Sequence, residues 1–117
     1  MIHVLRIFEI FTSEWQDITL ARSRYFVREN ELHIQLESGT KIIFALQDDV
    51  SQGVGDAPKN IREQLITLRT YISANRARLM DKSISYIDAR IPGKLFVCSD
   101  PVVCQKNLTL IYGEAYK

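Results

Sequence analysis

Two histidines, His3 and His33, are the only side chains of this chain that titrate near neutral pH without help from their surroundings. His33 alternates with Leu32 and Ile34, which predicts the polar, solvated side of a strand, and His3 is expected to be exposed in the first turn of the chain. No Ser-His-Asp or Cys-His set has local support for nucleophilic catalysis. Asp48, Asp49 and Asp56 lack calcium-loop spacing and read as an acidic, solvated loop. Gly53 and Gly55 lack the Lys-Ser/Thr that a phosphate-cradling loop requires. Cys98 and Cys104 have five residues between them, with no second pair or His at zinc-ligand spacing. They stay open to two readings: small half-buried hydrophobes, or a disulfide in an oxidising compartment. The expectation is no enzyme, no metal and no cofactor.

Two charged patterns remain. Arg62, Arg69 and Arg76 recur every seven residues, at the border of an apolar helical stripe. Such side chains commonly cover apolar surface with their stems and keep the charge in water. The alternative is a nucleic-acid or anionic-ligand surface, although the aromatic interleaving of a single-strand binder is missing. Tyr86, Asp88 and Arg90 share one face of a strand, and Ile87, Ala89 and Ile91 share the other. An exposed Asp–Arg pair there would contribute about 0–1 kcal/mol.

The elements that must carry these residues follow from hydrophobic period. At 117 residues, 46% apolar, 25% charged and net charge +1, the chain has the size and composition of one globular domain, and its charge does not point to nucleic acid. No apolar run nears the roughly 20 residues of a membrane span. Apolar spacing predicts a helix over 2–16. Period-two alternation then predicts strands over 17–46, with turns at Glu29–Glu31 and Ser38–Gly39. A polar loop at 47–57 leads to Pro58 and a second amphipathic helix over 58–80. Strands are expected over 84–98, turned at Pro92-Gly93, and over 108–112, after a break at Asp100-Pro101. The predicted fold class is α+β: one domain, 1–117, with a mainly antiparallel sheet covered on one face by two amphipathic helices.

One motif extends this reading. Ser85-Tyr86-Ile87-Asp88-Ala89-Arg90-Ile91-Pro92, followed by Lys94-Leu95-Phe96-Val97, resembles the I-D-L-R-x-P strand of the FtsQ/DivIB bacterial cell-division proteins. The helix with Leu65, Leu68 and Ile72 stands where that family has K-L-x-x-L, and Leu36 to Ile42 is similar to its glycine hairpin, Gly39 included. The resemblance covers roughly Phe11 to Val97, within the family's C-terminal β domain. It implies a non-enzymatic scaffold on the extracytoplasmic face of the cell membrane, part of a longer protein anchored by a preceding membrane helix. For a chain complete as written, the expectation is the cytoplasm instead. The implied partners are FtsB-like and FtsL-like division proteins, bound by strand addition at the edge formed by the terminal strands. By the same resemblance Arg90, Ile91 and Gly93 are the partner contacts, with Asp88 and Pro92 completing the motif.

Overall fold

The structure, a computed structural model, describes residues 20–46, 59–91 and 93–116. The expected helix over 2–16 with His3, the loop at 47–57, Pro58 and Pro92 lie outside the described residues. The elements in chain order are β1 (Leu20–Phe26), β2 (Glu31–Leu36), β3 (Lys41–Ala45), α1 (Lys59–Met80), β4 (Tyr86–Asp88), β5 (Phe96–Cys98) and α2 (Pro101–Tyr112), closed by a 3-10 turn at Gly113–Tyr116. The strands form one sheet in the order β1-β2-β3-β4-β5. Every pair is antiparallel except β3–β4, because α1 carries the chain back to the start of the sheet between those two strands. The α+β class stands.

Turn chemistry sets the first hairpins. Asn30 takes φ 52° at the β1–β2 turn, a region that Asn tolerates better than most residues. Its side-chain oxygen accepts from the Tyr25 hydroxyl at 2.9 Å. Gly39, at φ 97°, turns β2 into β3, and Leu36 N–H donates across that turn to Thr40 O at 2.9 Å. The register pairs Ile34 with Ile42 and Leu32 with Phe44, so one face of the sheet is continuously apolar.

That face is the main core. Leu32, Ile34, Leu36, Ile42, Phe44 and Ile87 pack against Leu65, Leu68, Ile72 and Leu79 of α1. Burying each such side chain contributes about 1.5–3 kcal/mol, which is why α1 follows its 3.6-residue stripe. At Asn75 the stripe meets a polar residue, and the helix leaves helical geometry there (φ −129°, ψ 27°). The Asn75 side-chain amide donates to Tyr71 O at 3.0 Å, which satisfies a carbonyl at the kink. Buried Gln64 ties α1 to the end of β3: Ala45 N–H donates to Gln64 Oε1, and Gln64 Nε2 donates to Ala45 O, both at 2.9 Å.

The opposite face carries a helix that the sequence reading did not foresee. The strand expected over 108–112 is the second half of α2. A short apolar run does not distinguish strand from helix by itself, and Asp100-Pro101, read as a break, is a helix start. Asp100 accepts from the N–H groups of Val102 at 2.9 Å and Val103 at 3.2 Å, and Pro101 occupies the first turn. Cys104 and Leu108, four residues apart, face inward onto Ile43, Tyr86 and Cys98. Of the two readings of the cysteines, the disulfide holds: Cys98 and Cys104 are bonded with their Cα atoms 5.9 Å apart, joining β5 to the first turn of α2.

Candidate functional site

Arg90, the first of the expected partner contacts, is held within the domain. Asp88 and Arg90 lie two apart on the side of the sheet facing α2, and their side chains meet in a fork: Arg90 Nε donates to Asp88 Oδ1 at 2.8 Å and Nη2 to Oδ2 at 2.6 Å. Nη1 reaches across to Glu31 Oε2 at 3.0 Å. Glu31 pairs with Ala45 across the strands, and Ile43, two residues before Ala45, pairs with Asp88 of the parallel strand β4, so Glu31 and Arg90 come to the same end of the sheet. The pair is therefore one part of a network, and Arg90 is held in its charged form well above the ordinary arginine range, chiefly by its bonds to Asp88.

Glu31 is the hub of that network, and the sequence reading passed over it. It is buried, yet it accepts from Arg90, from the Tyr112 hydroxyl at 2.7 Å and from His33 Nε2 at 3.1 Å. His33, expected in water, is buried as well, because α2 and the 3-10 turn roof the face that its alternation marked as polar. Its Nδ1 accepts from the Tyr116 hydroxyl. Phe26 packs on its ring at 4.1 Å between centroids, and Tyr112 meets it edge-on at 4.5 Å. Desolvation lowers the His33 pKa below 6.5 despite the Glu31 hydrogen bond, so the imidazole is neutral and donates from Nε2. Burial likewise pushes the Tyr112 phenol up, and that of Tyr116 up to about 12. The available signal was two polar i, i+2 pairs, Glu31/His33 and Asp88/Arg90, each of which puts both groups on one face.

The other expected contacts lie just beyond this network. Ile91 was expected on the same face of the strand as Ile87 and Ala89. Those two are fully buried, but Ile91 is 63% exposed, because β4 ends at Asp88 and the alternation lapses. Lys94 N–H donates to Ile91 O at 3.0 Å, and Gly93 sits in this turn at φ 80°, where a side chain is strained. Pro92 lies outside the described residues. After the turn, β5 pairs with β4 and is the last strand of the sheet among the described residues, and Phe96 stands 57% exposed. Ile91 and Phe96 thus flank the turn that leads into a terminal strand, and Arg90 anchors its base.

Arg62, Arg69 and Arg76 all fall in α1, but the structure describes only the backbone of Arg62. Arg69 is exposed, Arg76 is half-buried, and neither lacks a partner within the chain. Among the described residues no group of three or more His, Cys, Asp or Glu side chains could hold a metal ion, and no helix is long and apolar enough to cross a membrane. Compared with known protein families, with curated proteins and with solved structures, the chain matches none.

Proposed function

We propose that this chain is a non-enzymatic protein-binding domain of the FtsQ/DivIB type, a scaffold of the bacterial cell-division machinery that takes up an FtsB-like or FtsL-like partner as an added strand on β5. The observation that carries the reading is the position of β5: it is the last strand of the sheet and pairs, among the described residues, with β4 alone. A terminal strand offers a row of backbone N–H and C=O groups, and an extended peptide that pairs with them gains main-chain hydrogen bonds. The exposed side chains of Ile91 and Phe96 lie beside that edge and supply apolar contact. In this reading Arg90 is a positioning residue. Its fork with Asp88 and its bond to Glu31 hold the base of the turn that carries Ile91 and Gly93. A disulfide between Cys98 and Cys104 suits the oxidising, extracytoplasmic side of the membrane.

The test uses an FtsB-like peptide and its N-methylated forms. In an added strand only every second N–H of the peptide faces β5, so methylating one alternate set abolishes binding and methylating the other leaves it intact. Ile91→Lys and Phe96→Lys are expected to weaken binding while the circular dichroism of the domain is unchanged. Gly93→Pro weakens it too, with more damage to the turn, because proline cannot take a positive φ. Equal binding of both methylated sets, or undiminished binding by both lysine variants, defeats the proposal.

A further inference from the structure

Beyond the Glu31 network, the same face of the sheet opens into a hollow of ≈ 370 Å³. Its floor is β1, β2 and β3. Arg22, Gln35 and Lys41 form one cross-strand row, and Arg24 and His33 begin the next. Gln105, Ala115 and Tyr116 line it from α2 and the 3-10 turn. Three cationic side chains therefore share the hollow, and none of the described lining residues is Asp or Glu.

This differs from the neighbouring network, where Arg90 meets two carboxylates. Arg22 Nε donates to Gln35 Oε1 at 3.1 Å, and the Arg24 guanidinium lies 5.4 Å from the centre of the Phe26 ring. Neither contact neutralises a charge. Adjacent strands are about 5 Å apart, so Arg22 and Lys41 stand about 10 Å apart at the backbone on either side of Gln35. Like charges gathered over a partly desolvated floor oppose folding and raise the local concentration of anions. Lys41 carries the mark of this: burial, with a smaller push from Arg22, lowers its ammonium pKa from the ordinary 10.5.

We propose that the hollow binds a small phosphate-bearing ligand, with Arg22 and Lys41 holding the phosphate oxygens from either side of Gln35 and Arg24 adding a third cation. Two guanidinium forks suit the paired oxygens of a phosphate, and three positive charges suit a dianion better than a single carboxylate. The volume lies near the lower end of small-molecule sites, enough for a phosphate and a short organic remainder. The hollow is built on β1 to β3, away from terminal β5, so it stands or falls independently of strand addition.

The experiment titrates the whole chain, at low ionic strength, with inorganic pyrophosphate and glycerol 3-phosphate by calorimetry. In parallel it measures binding to phosphatidylcholine vesicles with and without phosphatidylglycerol. Saturable binding is expected to weaken at least about tenfold in Arg22→Gln and in Lys41→Met, the loss of one charge-assisted contact. Lys94→Met, in the exposed turn before β5, is expected to leave it within about twofold. Both charge-removing variants should melt at or above the parent temperature, which a purely structural role for these side chains would reverse. The Lys41 ammonium should also titrate higher in the complex, read by NMR of the side chain. Binding of the soluble probes assigns the phosphate to a free molecule, and binding of the anionic vesicles alone, lost in the same variants, assigns it to a lipid headgroup. No saturable binding of any probe by the folded chain overturns the site, and so does binding undiminished in the Arg22→Gln, Lys41→Met double variant. Should that double variant fail to fold, Arg24→Gln decides by the same criterion.

Discussion

The two faces of the sheet are built on opposite terms. Under α1 the contacts are mainly apolar and closely packed, and among the described residues the buried hydroxyl of Tyr71 has no hydrogen-bond partner. Under α2 the centre is a set of polar and aromatic groups joined by hydrogen bonds, in which Glu31 alone accepts from Arg90, His33 and Tyr112. Apolar packing is non-directional and tolerates modest substitution, whereas a buried network depends on every member being satisfied. The core face therefore serves as foundation. The roofed face fixes the positions of particular atoms, which is what a binding surface next to it requires.

The largest expected effect lies on the core face. Leu68→Ala empties a fully buried position between α1 and the sheet and should cost about 3 kcal/mol in urea denaturation. A loss well under half of that would mean α1 is not the main cover of that face. On the other face, Glu31→Ala leaves Arg90, His33 and Tyr112 without their common acceptor. About 2 kcal/mol is expected, kept modest because the Arg90 side chain is one-third exposed and so partly screened by water. If the two variants cost the same as two isolated surface substitutions, the contrast between the faces fails.

A smaller effect separates the faces by pH. The folded-state pKa of His33 lies below 6.5 because burial opposes its charge. The unfolded chain therefore takes up the proton first. The stabilisation is complete above pH 6.5 and is lost as pH falls from there through the folded pKa. Glu31 and Asp88 oppose this shift and Arg90 supports it. Denaturation midpoints measured from pH 7.5 down to about 5 should fall in the parent and fall less in His33→Gln. A parallel decline in both would assign the acid sensitivity elsewhere. The smallest effect has the opposite sign: Tyr71→Phe removes a hydroxyl that has no partner among the described residues and should raise stability by up to about 1 kcal/mol. A destabilised Phe variant would show that the hydroxyl is satisfied in solution.

Local pattern was enough for the hairpins, the long helix and the α+β class. Leu32, Ile34 and Leu36 alternate, Gly39 permits the turn, and Leu65, Leu68 and Ile72 recur at helical spacing. Each is a relation among near neighbours in the chain, and backbone geometry converts it directly into a strand, a turn or a buried stripe. The candidate site was only half legible in that way. Asp88 and Arg90 announced a shared face, but Glu31 lies 59 residues from Arg90 and joins it only because β2 and β4 both pair with β3. Alternation marked His33 as polar, yet solvation depends on what covers a face, and its cover is the chain's last helix and turn, 83 residues away at Tyr116. The hollow of Arg22, Arg24 and Lys41 likewise exists through strand register and roof together. Spacing along a chain reports which side of an element a residue occupies, while the charges, rings and water that meet it there are set by elements distant in sequence.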